Sequence, residues 1–368
     1  MLEKSNNSEY IKKYIDCIDE SIAWLQRSIY EDGGSSAYFG AWGQWANSYP
    51  ETTGYLIPTL LNYAKFSSSD KVIEIARKLG RWLLSIQGNG GYWHGMMHPP
   101  SEHNPSVFNT AQILLGLCAL HRVDEKGPWL SAAQDGARWL VDGLNSNGRW
   151  PAGNYKGDFN PSYYTRVAWP LLEVGKLADE PDFRASAKQV LSRILDRRTD
   201  SGSFLGWGFE PDASAYTHTI AYTLRGFLES ARILDDWKTY GKPVEKALDR
   251  LYRHTELSNG TLPGAYGTNW EKETHFTCLT GNVQVAICLL KYDSHESDLR
   301  LVNAACKLVD GVADSQSRSH PVPSLRGAIP GSKPLWGRYM RFRYPNWAVK
   351  FFCDALLLLI ERLREEGL

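Results

Sequence analysis

Two stretches, RWLLSIQGNGGYW (81–93) and RWLVDGLNSNGRW (138–150), repeat one pattern in which a helix end runs into a glycine-rich turn. In each stretch a Trp-Leu pair stands nine residues before a glycine and eleven residues before a second tryptophan. Trp24 stands at the same nine-residue distance from Gly33. Weaker copies end at 202–204 and 260–262. This recurrence predicts a chain that is built from repeated structural units.

Each glycine loop is preceded by an amphipathic helix and followed by a nearly all-apolar one. The i, i+3/i+4 spacing of apolar residues predicts amphipathic helices over 9–30, 69–87, 128–144, 182–198, 243–257 and 296–314. The apolar helices are expected to begin near Pro50, Val107, Ser162, Tyr216, Phe276 and Tyr344. An apolar helix belongs inside a protein and an amphipathic one on its outside. The sequence therefore predicts an all-α fold, an (α/α)6 toroid of six helical hairpins that forms a single domain over residues 1–368.

The long loops indicate where the functional site lies. They span 31–49, 88–106, 145–161, 199–215, 258–275 and 315–343. Each loop enters the N-terminal end of an apolar helix, so in a closed ring all six lie on one face. Long loops without regular structure are usually functional. An open helical solenoid is the alternative architecture, and the long loops argue against it.

The composition narrows the class of ligand. Lys+Arg and Asp+Glu are equal at 41 each, so bulk charge does not favour nucleic acid or anionic membranes as partners. The chain contains 14 Trp, 19 Tyr and 12 Phe, which is typical of surfaces that stack on sugars or isoprenoids. The alternative is a large core in which tryptophan fills space.

The chain gives no sign of a membrane or a metal. No stretch approaches the length of a membrane span, and the N-terminus lacks a signal-like apolar run. The six cysteines lie in helical segments without a zinc-like spacing, which is typical of buried thiols in a reducing compartment. Pro99 and Pro100 prevent His98 from forming a helical ligand pair with its neighbours. We therefore expect a cytoplasmic protein without a metal or cofactor.

Three carboxylates are candidates for proton transfer. Glu51 follows Pro50 in the first turn of an apolar helix, where it either stabilises the helix start or acts as a desolvated general acid. Glu210 and Asp212 precede the fourth apolar helix, where they either cap that helix or complete a glycosidase pair with Glu51.

Other polar residues inside the apolar helices suggest a second type of chemistry. Arg166 must be paired or face a wet cavity, so it is a candidate clamp for a carboxylate or a sugar hydroxyl. Tyr164, Tyr216 or His218 would abstract a proton in a polysaccharide lyase or a uronate epimerase. A satisfied core histidine is the alternative for His218.

The remaining candidates are aromatic and polar side chains expected around the mouth of the toroid. The predicted substrate-binding residues, besides Arg166 and Tyr216, are Trp42, Trp45, Trp93, Trp150, Asp158, Trp207, Trp270, His275, Arg341, Arg343 and Asn346. The alternative for Arg341 and Arg343 is that they lie in a solvated loop and bind no ligand.

The spacing of Gln87, Gly91 and Trp93 resembles the QW-type repeat of triterpene cyclases. The helix alternation is similar to the toroids of terpenoid cyclases, prenyltransferase β subunits and six-hairpin glycosidases. The acid run of the cyclases and the zinc set of the prenyltransferases have no counterpart in this sequence. An isoprenoid cyclase or transferase is therefore the weaker alternative.

A more local resemblance concerns SYPETTGYLIPTLL (48–61) and YPNWAVKFFCDALLL (344–358), which look like segments of Vps-type proteins from bacterial exopolysaccharide clusters. This resemblance implies an oligo- or polysaccharide substrate and association with polysaccharide assembly proteins. The function predicted from the sequence is a carbohydrate-active enzyme, first a glycoside hydrolase with paired carboxylates. A lyase or epimerase and a non-catalytic glycan-binding protein are the alternatives.

Overall fold

The computed structural model describes residues 7–365, and within them the twelve predicted helices are all present. The outer helices are α1 (Asn7–Arg27), α3 (Asp70–Ser85), α5 (Trp129–Asp142), α7 (Pro181–Leu195), α9 (Glu245–Leu257) and α11 (Leu299–Ala313). The inner helices are α2 (Pro50–Ser67), α4 (Val107–Val123), α6 (Thr165–Leu177), α8 (Thr217–Leu234), α10 (Leu279–Glu296) and α12 (Asn346–Glu365). The prediction of an all-α (α/α)6 toroid is confirmed.

The inner helices form a closed ring. Each packs against the next in chain order, α12 packs against α2, and α1 covers α12 from outside. The inner helices are buried nearly all round, whereas the outer helices bury one face. This difference follows from the apolar and amphipathic patterns of the sequence.

Glycines set the spacing between neighbouring inner helices. A Cβ atom on Gly116 of α4 would lie 2.3 Å from the carbonyl oxygen of Gly54 on α2. A Cβ atom on Gly281 of α10 would lie 2.6 Å from the Cβ of Thr217 on α8. The close contact at α2 and α4 therefore depends on the absence of a side chain.

We expect Gly116→Ala to destabilise the protein by about 1–3 kcal/mol, because a methyl group at a backbone contact forces two packed helices apart. Urea unfolding followed by circular dichroism measures this change. Asn62→Ala, at an exposed position of α2, is the control and should unfold like the wild type. Unchanged stability of Gly116→Ala would mean that the two helices are not held at this distance.

Short strands join the loops. They are β1 (Tyr38–Gly40) with β7 (Arg343–Pro345), β2 (Ala215–Tyr216) with β3 (Ala265–Tyr266) and β4 (Lys272–Glu273), and β5 (Thr277–Cys278) with β6 (Ser332–Lys333), all antiparallel. These pairs join the first loop to the sixth, the fourth to the fifth and the fifth to the sixth.

Single backbone hydrogen bonds join the other neighbouring loops. His98 N donates to Ser48 O at 2.7 Å between the first and second loops. Val107 N donates to Gly153 O at 2.9 Å, and Ser162 N donates to Gly206 O at 2.8 Å. The six loops therefore form a closed ring on one face of the toroid, as the sequence predicted, and the fold is not an open solenoid.

All six cysteines are buried free thiols.

Between residues 7 and 365, no helix combines the length and the apolar character that a membrane crossing requires.

Candidate functional site

Six side chains meet near the axis of the toroid, under the ring of loops. We call them the axial cluster: Tyr49, Glu51, Arg166, His218, Tyr222 and Tyr339. The Arg166 guanidinium lies 4.7 Å from the centre of the Tyr222 ring, and the His218 ring lies 5.5 Å from Tyr222 and 4.5 Å from Tyr339. Three inner helices and two loops contribute to the cluster, so it exists only in the closed ring.

Glu51 is the only carboxylate of the axial cluster, and its side chain is almost completely desolvated. The residue is 8% exposed. Burial raises the pKa of Glu51 to about 7, although the Tyr49 side chain and the Arg166 guanidinium lower it. A carboxyl group with this pKa is partly protonated at neutral pH, which is the property that a general acid needs.

Arg166 is a buried cation with one unused donor group. Its Nε and Nη2 donate to Gln112 Oε1 at 3.0 and 2.6 Å, and Gln112 Nε2 donates back to the Arg166 carbonyl at 2.8 Å. Nη1 has no hydrogen-bond partner among the described residues. Burial lowers the pKa of Arg166 to about 10, so the group is charged at neutral pH and can bind an anion.

His218 is a neutral member of the cluster. Burial lowers its pKa to about 3, and its ring stacks on Tyr216 with Cys278 Sγ 3.8 Å from Nδ1. Because an imidazole with this pKa is a weak base, His218 suits orientation of a ligand better than proton abstraction.

The tyrosines of the site are protonated. Burial raises the pKa of Tyr163, Tyr222 and Tyr339 well above the ordinary value of a tyrosine. Burial also raises the pKa of Tyr164, whose hydroxyl donates to Asn154 Oδ1 at 2.9 Å. None of these four groups therefore supplies a phenolate base at neutral pH.

The other two predicted carboxylates are exposed, whereas Glu51 is buried. Glu210 is exposed on the fourth loop and pairs with Lys156 at 3.3 Å. Asp212 is exposed two residues later. Among the described residues, neither interacts with Glu51. The pairing of Glu51 with Glu210 or Asp212 therefore stays a prediction.

Four predicted stacking residues, Trp93, Trp150, Trp207 and Trp270, are buried in the structure and cannot stack on a sugar. Trp93 Nε1 donates to Leu83 O, and Trp150 Nε1 donates to Leu140 O, both at 2.8 Å. Each of these two indoles thus ties its loop to the end of the preceding outer helix. The expectation of an indole wall is corrected here, since these tryptophans belong to the core.

Two other predicted indoles remain near the surface. Trp42 is 76% exposed, and its ring lies 5.4 Å from Phe342. Trp45 is half-buried and packs on Trp24 and Phe39. Trp42 is therefore the predicted indole with the largest free surface.

Asn346 is a further correction. It is completely buried, and its side-chain amide donates to Ser28 Oγ and Ser35 Oγ at 2.8 and 2.9 Å. These bonds tie the start of α12 to the first loop. Asn346 is therefore a structural residue that a substrate does not reach.

The remaining predicted binding residues lie in the loops and their short strands. Asp158 pairs with Arg149 at 3.4 Å, His275 is exposed, and Arg341 donates to Trp336 O at 3.1 Å. The Arg338 guanidinium lies 4.9 Å from the centre of the Tyr216 ring, and the Arg343 guanidinium lies 4.6 Å from the centre of the Tyr38 ring. Both contacts are cation–π pairs. Tyr216 also contacts the axial cluster, because its ring lies 5.8 Å from His218 and 5.1 Å from Tyr339.

Three members of the axial cluster, Tyr49, Tyr222 and Tyr339, were missed by the sequence analysis. Tyr49 lies two residues before Glu51. Tyr222 follows His218 by four residues, so helical periodicity alone places both on one face of α8. Tyr339 lies in the longest loop, where no periodic signal exists. Between residues 7 and 365, no group of three His, Cys, Asp or Glu side chains could hold a metal ion.

The sequence matches no family model, and the curated proteins include no match. Solved structures are similar in fold. An unsaturated glucuronyl hydrolase specific for heparin has a TM-score of 0.78 at 15% identity and covers 96% of this chain and 98% of its own. A cellobiose 2-epimerase from Bacillus thermoamylovorans has a TM-score of 0.77 at 12% identity, over 96% and 100%. An α-amylase from Clostridium perfringens has a TM-score of 0.68 at 10% identity, over 94% and 97%. This chain therefore shares the α/α toroid fold of known carbohydrate-processing enzymes.

Proposed function

We propose that this protein is a carbohydrate-active enzyme that hydrolyses an acidic saccharide at the axial cluster. Glu51 acts as the general acid, and Arg166 binds the carboxylate of the substrate. The observation that carries the proposal is the burial of the Glu51 carboxyl group near the buried Arg166 guanidinium, an environment that raises the pKa of Glu51 to about 7.

An unsaturated uronate is the substrate type that fits a site with one acid. Its carbon–carbon double bond adjoins the ring oxygen, so a proton from Glu51 to this bond gives an oxocarbenium ion. Water adds to this ion and returns a proton to Glu51, and the hydrate then opens and releases the neighbouring sugar. The reaction needs one acid/base group and one cation opposite the carboxylate, which Glu51 and Arg166 provide. The name of a structural neighbour, unsaturated glucuronyl hydrolase, is consistent with this substrate class.

The alternatives have less support. A conventional glycosidase needs a second carboxylate about 5–9.5 Å from the acid, whereas Glu210 and Asp212 are exposed on the fourth loop and Glu51 is buried. A lyase or epimerase needs a base, whereas burial holds the pKa of His218 at about 3 and the tyrosines stay protonated. A non-catalytic glycan-binding protein would bind saccharide without turnover.

The test is incubation of the full chain with an unsaturated uronyl disaccharide and with its saturated counterpart. We expect loss of the ultraviolet absorbance of the double bond and release of the second sugar only from the unsaturated substrate. Cleavage of the saturated disaccharide would favour a conventional glycosidase. Binding of both disaccharides without any product would favour a glycan-binding protein.

The cellular setting is part of the same proposal. The resemblance to exopolysaccharide-cluster proteins and the six buried free thiols support a cytoplasmic enzyme that works with polysaccharide assembly proteins.

A further inference from the structure

A large cavity lies on the side of the toroid away from the loops. It has a volume of about 1430 Å³, and residues of all six inner helices line it, including the C-terminal ends of α4 and α12. Tyr55 and Arg166 lie at its inner end, and exposed residues such as Lys65 and Arg364 lie at its rim. We call this space the C-terminal chamber. Glu51 and His218 do not line it, so the chamber is separate from the proposed acid.

The wall of the chamber contains a buried arginine that lacks hydrogen bonds. Arg225 of α8 is 9% exposed, and neither its Nε nor its Nη1 has a hydrogen-bond partner among the described residues. The nearest carboxylate oxygens are at 3.6 Å on Glu229 and 3.9 Å on Asp354, beyond the range of a hydrogen bond. A buried guanidinium in this state has donors available for a further anion.

The neighbouring carboxylates are already used by other partners. Glu229 accepts Lys291 at 2.8 Å, and Asp354 accepts Lys350 at 2.5 Å and the Thr59 hydroxyl at 2.7 Å. Lys350 is itself buried and lines the chamber beside Arg225. Within the described part of the chain, eight Lys or Arg and six Asp or Glu side chains line the chamber, so its lining carries a net positive charge although Glu229 and Asp354 lie beside Arg225.

An indole completes the wall. Trp169 lies 5.2 Å from the Arg225 guanidinium, and the indole also lines the chamber. Because Trp169 is 8% exposed and lies 5.2 Å from both the Arg166 and the Arg225 guanidinium, it offers an apolar contact to a bound sugar and not an open face for stacking.

We propose that the C-terminal chamber is a second binding site, which takes a small sugar carrying a phosphate or carboxylate group. Arg225 and Lys350 bind the anionic group, and Trp169 contacts the sugar ring. The chamber meets the axial cluster at Arg166, but Arg225, Lys350 and Trp169 do not belong to that cluster, so occupancy of the chamber does not depend on the activity proposed there.

The test is calorimetric titration of the full chain with glucose 6-phosphate, glucuronate and glucose. We expect saturable binding of at least one of the two anions, with a Kd of about 1 mM or tighter, and none of glucose. The anion that binds more tightly identifies the preferred group. Equal binding of glucose, or no binding of either anion, would overturn the proposal.

Variants locate the site. Arg225→Gln and Lys350→Met should each weaken anion binding about tenfold or more, which is the loss of one charged hydrogen bond. Asp354→Asn removes a competing carboxylate and should preserve or tighten binding. Arg364→Gln at the exposed rim is the matched control and should change the affinity less than about twofold. If Arg225→Gln does not fold, the other two variants test the site. The proposal predicts weaker anion binding for Lys350→Met and unchanged or tighter anion binding for Asp354→Asn. Wild-type affinity in Lys350→Met would overturn it.

Discussion

Replacing Glu51 by Gln is expected to abolish hydrolysis and, at the same time, to stabilise the protein at alkaline pH. The loss of a general acid lowers the rate about 10²–10⁴-fold. The stability effect follows from the pKa of Glu51, which burial raises from 4.5 to about 7 in the folded protein. A residue that only started a helix would not give this combination.

The sign of the stability effect can be derived from proton binding. Below pH 4.5 Glu51 is protonated in both the folded and the unfolded state, so its ionisation costs nothing. Between pH 4.5 and about 7 only the unfolded state ionises, and the folded state loses stability as the pH rises. Above this window the loss reaches about 3 kcal/mol, and the neutral Gln avoids it.

Urea unfolding of both proteins at pH 5 and pH 8 measures the difference. Glu51→Gln should exceed the wild type by about 3 kcal/mol at pH 8 and by about 1 kcal/mol at pH 5. The wild-type rate should fall above pH 7, about tenfold per pH unit, as Glu51 loses its proton. Glu31→Gln, an exposed glutamate on the first loop, is the control and should alter neither quantity. Full activity of Glu51→Gln would remove Glu51 from the mechanism.

The fold was predictable because its signals are local and repeated. The apolar helix that follows each glycine loop indicates which helices lie inside. Six such helix pairs in one chain predict the ring. Gly91 illustrates how local the signal is, because its φ of +91° is a conformation that favours glycine. Trp93, two residues later, follows the same pattern in the sequence whether its indole packs inside or faces a ligand. Periodicity does not decide between these outcomes, so the stacking role was assigned in error.

The site was only partly predictable, for a related reason. Glu51 and Arg166 were found because a charge in an apolar helix is costly and stands out. Tyr339 comes from an irregular loop, and its position depends on how the loops pair around the ring. The charges of the C-terminal chamber were visible in the sequence at i, i+4 spacing, as in Arg225 with Glu229 and Lys350 with Asp354. The same spacing is typical of ion pairs on a solvated helix face, so it does not show that these charges line a cavity.

Replacing Glu229 by Gln is expected to cause the largest loss of stability among single charge-neutralising substitutions near the chamber. Glu229 is buried and accepts Lys291 at 2.8 Å and Arg232 at 3.2 Å, with Arg225 at 3.6 Å. Burial alone would raise its pKa, but Lys291, Arg225 and Arg232 lower the pKa to about 2. Removing the carboxylate leaves these cations without their counter-charge, which costs about 3–5 kcal/mol.

The pH dependence distinguishes this effect from a general packing defect. Because the folded pKa lies below the unfolded value of 4.5, Glu229 contributes about 3 kcal/mol above pH 4.5 and loses it as the pH falls toward 2. The difference in unfolding free energy between wild type and Glu229→Gln should therefore shrink to about half between pH 7 and pH 3. Glu361→Gln, an exposed glutamate at the rim of the chamber, is the matched control and should unfold like the wild type at both pH values. A difference that stays constant with pH would mean that the substitution acts through packing, and that Glu229 does not neutralise the cations of the chamber wall.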